Sequence, residues 1–405
     1  MATAPLCPRD LTIPEPGSTT AKAVLSRAMG RLLRDLSALP RLTPTGAREE
    51  GAVIARLSRA ALADAPGALM SALRRPTVGG LLRCLRSDTL PQREAVMVEL
   101  AALLAFELAL AGALAEPVRL RRFPARLLSI SARIAIDLPR DASAVAIANG
   151  RVTIERAGRT DEIRLDDPEA GERAIARPYH VIAGDIALAE VDNNPLSMFE
   201  AHPDKEGNAI DLGGRPATAW TDALGTALAR IERHLPDIYG EMQLFVAQVV
   251  PVGWHDEKHL SASYQEMIGT IYMTLHPSQM TLSEALIHEF SHNKINALFE
   301  VDEVLENAWS PLYTSPVRPD PRPLHGVLLA VHAFLPVARL YEQMIANDDP
   351  EAGNEAFRRR YAAIRKINRE GAELVLDKGR PTAVGAPLFD EIRRWHEHYA
   401  ALGDT

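Results

Sequence analysis

The chain has only two cysteines, Cys7 and Cys84, in 405 residues. Their spacing supports neither a zinc knuckle nor a disulfide framework, which points to a reducing compartment. It also lacks a Lys/Arg-rich run interleaved with aromatics, and its formal net charge is −8; a nucleic-acid partner is therefore not expected. No apolar run is long and unbroken. The most apolar stretch, "AVMVELAALLAFELALAGALA" (95–115), is interrupted by Glu99 and Glu107, so it reads as a buried helix and no membrane partner is expected. The opening residues show no basic start followed by an apolar segment, and the expectation is a cytoplasmic protein. Apolar residues make up 47% of the chain, enough to bury a sizeable core, and the length suits two or three domains.

Three regions are expected along the chain. Residues 1–125 are rich in Ala, Leu and Arg at helical spacing, as in "AKAVLSRAMGRLLRDLSAL", and predict a helical N-terminal region. Residues 126–190 change character. "RLLSISARIAIDL" alternates, and Asn149-Gly150 sits between two short alternating runs, which predicts a small β element with a tight hairpin. A Pro/Gly/Asp/Asn-rich tract (191–216) then opens a mainly helical catalytic region, 191–405, with a strand expected in "MQLFVAQVVPVGW". The expected class is α+β, mainly helical, with a small β element in mid-chain and a helical metal-binding core.

Eleven of the twelve histidines lie beyond residue 200, and that half contains "EALIHEFSHNKINAL" (284–298). On a helix, His288 and His292 are one turn apart on one face and can reach a single ion, while Glu289 projects about 100° away. "TLSE" predicts the helix start, with Thr281 as N-cap and Glu284 completing a capping box. Two solvated histidines on a helix surface are the plain alternative, but the apolar residues around the motif suit a packed helix better.

Two imidazoles are too few for a catalytic metal, which usually has three protein ligands. The positions where a metzincin places its glycine and third histidine hold Ile295 and Leu298. The acids that follow, Glu300, Glu303 and Glu306, come too early for a thermolysin-like glutamate. Neither peptidase pattern is met. His325 and His332 remain, seven residues apart and about 10 Å along a helix, so only one can serve the ion. His332 is favoured because Pro336, four residues on, has no amide to offer its carbonyl and would distort the helix there. His255 and His259, also four apart, could hold a second metal, although "HDEKH" reads more simply as a solvated turn.

With these residues in view, "SASYQEMIGTIYMTLHPSQMTLSEALIHEFSHNKINAL" and "YTSPVRPDPRPLHGVLLAVHAFLPVARLYE" resemble the HExxH-motif peptide-modification proteins associated with ribosomally made peptides, specifically over about 250–345. Some members of that family are iron- and 2-oxoglutarate-dependent peptide β-hydroxylases. The resemblance implies Fe(II) held by His288, His292 and His332, with 2-oxoglutarate as co-substrate, dioxygen as oxidant and a precursor peptide as partner. It gives Glu289 an orienting role. It also gives meaning to "RPDPRP", whose Arg322 or Arg318 could clamp the far carboxylate of 2-oxoglutarate. The alternative is a zinc metallopeptidase with Glu289 as general base.

Overall fold

The computed structural model describes residues 6–166, 174–198, 207–316 and 320–403. Helix accounts for 53% of the protein and strand for 16%, the strands lying in several small sheets, so the class is α+β and mainly helical. The N-terminal helices Thr20–Ser37, Arg48–Asp64 and Pro66–Arg74 follow the expected apolar periodicity, and a further helix, Arg93–Leu110, is apolar nearly all round. The last of these contains the Glu99/Glu107 stretch and is buried from Val96 to Ala109 apart from residues 98 and 99.

The segment "RLLSISARIAIDL" is two strands, β2 (Arg126–Ser129) and β3 (Ile134–Asp137), paired antiparallel, with Arg133 at φ 58° in the turn. β1 (Val118–Leu120), β4 (Ala144–Ala148), β5 (Arg151–Arg156) and β6 (Arg159–Arg164) form an antiparallel sheet in the order β1-β4-β5-β6. Asn149-Gly150 is the two-residue connection between β4 and β5. Of the pair only Gly150 takes a positive φ, 74°, so the turn needs one left-handed residue rather than two. β7 (Ile175–Ala176) adds to β3.

A five-stranded sheet positions the site. β8 (Tyr179–Ala183), β9 (Ile186–Ala189), β10 (Gln248–Trp254), β11 (Ser261–Ala262) and β12 (Thr270–Leu275) stand in the order β11-β12-β10-β9-β8. β10 runs parallel to both β9 and β12, and the two edge strands are antiparallel. β10 begins at Gln248; the preceding "MQLF" belongs to helix Pro236–Phe245. The expected strand there is therefore shorter, because Met242 and Phe245 pack as helix residues. β12 is buried at every position, as a parallel strand covered on both faces must be. Alternation assigns its faces: Ile271, Met273 and Val249 point into one core with the C-terminal helices, while Tyr272, Val250 and Val252 point into a second core with the N-terminal helices.

Helix Gln279–Val301, carrying the motif, packs on the first of these faces with helix Leu324–Ala346 beside it. By length and composition the latter is the one described helix that could cross a membrane, but 67% of its most apolar window is buried inside the protein. It is a core helix here. The motif helix starts one turn earlier than "TLSE" suggests. Ser278 is the N-cap and accepts from the Thr281 amide at 3.2 Å; Glu284 instead accepts from Arg360 and from the Tyr341 hydroxyl. At its other end Glu300 receives Arg83 at 2.7 Å and Arg86 at 2.6 Å, which ties the motif helix to the N-terminal region.

The N-terminal segment is inserted into the same core. Buried Glu391 accepts from the amides of Thr12 and Ile13 at 2.9 to 3.0 Å. Burial raises its pKa to about 7, an effect that the two amides and Lys294 only partly offset. A carboxyl raised on folding contributes stability that is complete below its unfolded value of 4.5 and is lost as pH rises through about 7. Glu391→Gln should therefore flatten the decline in unfolding free energy between pH 5 and pH 8 by about 3 kcal/mol relative to the unmodified protein. Urea melts at four pH values would show this, and parallel curves would exclude Glu391 as the titrating group.

Candidate metal centre

The motif helix brings His288 and His292 together with their Nε2 atoms 2.9 Å apart. That separation is the chord between two metal–nitrogen bonds of about 2.0–2.1 Å meeting at roughly 90°. Ligand atoms of His288, Glu289 and His292 all lie within 4.8 Å of one another, the one such group found among the described residues. His292 is part-buried, and desolvation lowers its pKa, with the Glu289 carboxylate opposing the shift. The ring is therefore neutral, the form that ligates. The rings of His288 and Phe334 meet edge to face, with centroids 4.7 Å apart.

Glu289 is 2% exposed. One of its oxygens accepts from the Ser261 hydroxyl and the other from the Ser263 hydroxyl, both at 2.7 Å. These serines were not singled out from the sequence. "SAS" did carry a signal, because residues two apart on a strand share a face. Asn293, one turn beyond Glu289, accepts from the Gly269 amide at 2.6 Å and donates to Ser263 at 3.2 Å, locking the helix against the β11–β12 edge.

The histidine pair and Glu289 open onto a cleft of about 350 Å³ that is also walled by His259, Ser315 and Arg322. Helix Leu324–Ala346 contributes Gly326, Leu329, Ala330 and Phe334 to this cleft, residues that share one helical face. His332 is about 200° round the helix from Ala330 and is not brought to the ion site. It is completely buried, with Nδ1 3.0 Å from the Thr12 hydroxyl. Burial above all, then the positive Lys294, holds it well below the usual histidine pKa. His325 lies outside both the ligand group and the lining of this cleft, with its ring between Phe299 at 4.6 Å and Trp309 at 4.5 Å. Burial lowers its pKa to about 4, helped by nearby His292.

Arg322 lies at the cleft wall, 3.2 Å from Asp320. Arg318 falls outside the described residues. His255 and His259 do not form a second centre. His255 Nδ1 accepts from the amides of Glu257 and Lys258, closing a turn, while His259 Nδ1 lies 3.3 Å from the Thr274 hydroxyl. Comparison with protein-family models and with curated proteins finds no match for this chain.

Proposed function

We propose that this chain is a non-haem iron oxygenase that uses 2-oxoglutarate and dioxygen to hydroxylate a β-carbon of a ribosomally made peptide in the cytoplasm. The observation that carries the reading is that the histidine pair and Arg322 wall the same cleft. The cleft therefore offers both metal ligands and a guanidinium suited to a carboxylate. His288 and His292 would hold Fe(II), with Glu289 the nearest further donor. Two imidazoles and a carboxylate are the donor set of non-haem iron oxygenases. When bound, the iron supplies the oxidising chemistry by which one oxygen atom enters the peptide C–H bond while 2-oxoglutarate leaves as succinate and carbon dioxide.

The residues divide the remaining tasks. Ser261 and Ser263 fix the Glu289 carboxylate, and because each oxygen already accepts a hydroxyl proton, Glu289 suits positioning better than proton abstraction from water. A peptide substrate is supported by the sheet edge next to the cleft. Thr274 donates to the Leu260 carbonyl at 2.9 Å and Ala262 stands opposite Tyr272. Strand alternation then turns the amide and carbonyl of Ser261 outward, where an extended chain can pair with them.

Metal analysis of anaerobically purified protein, combined with succinate release and peptide mass with and without 2-oxoglutarate, tests the proposal. Iron, succinate and a gain of one oxygen are expected. Zinc with a shortened peptide and no dependence on 2-oxoglutarate would replace it with the peptidase reading, with Glu289 as general base. Arg322→Ala should raise the 2-oxoglutarate concentration for half-maximal rate roughly tenfold, about 1.5 kcal/mol, a modest figure because the side chain is partly exposed and shared with Asp320. An unchanged requirement would remove Arg322 from the co-substrate site.

A further inference from the structure

A second cavity, of about 410 Å³, adjoins the metal cleft. His325 and Asp302 are among its lining residues, and Gly326, the next residue after His325, lines the metal cleft. Consecutive residues of one helix thus line the two spaces, with Cα atoms about 3.8 Å apart. Phe299, His325 and Trp309 form the aromatic side of the second cavity. Trp309 stacks on His325 at 24° with one face and is 67% exposed, so its other face is open. Asp302, Glu303 and Glu306 line the same cavity. Glu306 is 3.8 Å from Arg380, which also lines the cavity, whereas Asp302 and Glu303 pair with no basic side chain among the described residues. Leu312, 60% exposed, follows closely in the chain. An open indole face beside unpaired carboxylates complements a cation carried on an apolar stem.

We propose that this cavity is a specificity subsite for a lysine or arginine side chain of the peptide whose nearby residue lies at the His288/His292 centre. The proposal rests on the peptide reading above. In an extended chain, side chains on the same face recur every roughly 7 Å, so one peptide can present a side chain to each of two cavities lined by neighbouring residues of one helix. The carboxylates select the charge, and Trp309 receives the stem and the cation.

The test uses metal-free full-length protein and three acetylated, amidated heptapeptides identical except for a central lysine, norleucine or glutamate, with affinities read by titration calorimetry. The lysine peptide should bind at least tenfold more tightly than the norleucine peptide, and the glutamate peptide most weakly. Asp302→Asn combined with Glu303→Gln should abolish the preference. Both positions are exposed, and a circular dichroism melt would confirm that the fold is kept. Trp309→Ala should weaken both the lysine and the norleucine peptides, the lysine peptide more, and so reduce their difference. Equal affinity for the three peptides, no measurable binding of the lysine peptide at 1 mM, or a preference that survives the double substitution would overturn the subsite. Since binding is read without metal or turnover, finding zinc in the purified protein would defeat the oxygenase reading while leaving this result intact.

Discussion

Alanine at His288 or His292 is expected to leave a folded protein that retains less than a hundredth of the wild-type affinity for Fe(II). Their Nε2 atoms are 2.9 Å apart, so one ion would bond to both, and removing either imidazole leaves a single nitrogen donor with a carboxylate already engaged by two serines. Metal content after dialysis, measured beside a thermal melt, separates this from unfolding. His332→Ala provides the contrast. It removes a buried ring held by the Thr12 hydroxyl on the far side of its helix, so the melting temperature should fall while the metal remains. If instead His332→Ala lost the metal and both motif variants kept it, the centre would have to be placed elsewhere.

The different behaviour of these histidines explains what could be read from the sequence. A four-residue spacing on a single helix determines a shared face by itself, so the His288/His292 pair was legible before any tertiary contact was known. The orientation of helix Leu324–Ala346 was not. Leu, Val and Ala surround it, with Leu328, Val331, Leu335 and Val337 all buried, and a helix apolar all round has no polar stripe to show which face meets the cleft. The sequence therefore points His332 toward the ion, whereas it faces the N-terminal segment, which returns from more than 300 residues away. The capping box failed for a simpler reason. Ser278 and Thr281 are both competent caps, and β12, which ends at Leu275, lets the helix begin at the earlier one. The small β element was legible because alternation and turn residues act locally. The joining of β9 to β10 across the loop tract is a nonlocal pairing, and its two parallel strands, buried at every position but Trp254, carry no alternation to announce it. Ser261 and Ser263 became functional candidates only when the sheet edge placed them over Glu289.

Lys294→Met should be the most destabilising single change in the motif helix, costing roughly 3 to 5 kcal/mol. Lys294 is completely buried, two residues beyond His292, and its ammonium donates to Glu241 at 2.7 Å and to the Thr12 carbonyl at 3.4 Å. Burial raises the pKa of Glu241, and Lys294 is the largest influence opposing that rise. Methionine nearly preserves the volume but leaves a buried carboxylate without its counter-charge and the N-terminal segment without one anchor, so the cost comes from what is stranded rather than from a cavity. Lys294→Met combined with Glu241→Met should recover most of the loss, since both charges then disappear together. Chemical denaturation of the two single variants and the double variant measures the coupling directly. Additive losses would mean that the pair acts independently. Because the network anchors the motif helix without touching the ion site, the Lys294 variant should still bind metal at temperatures below its own, lowered, melting point.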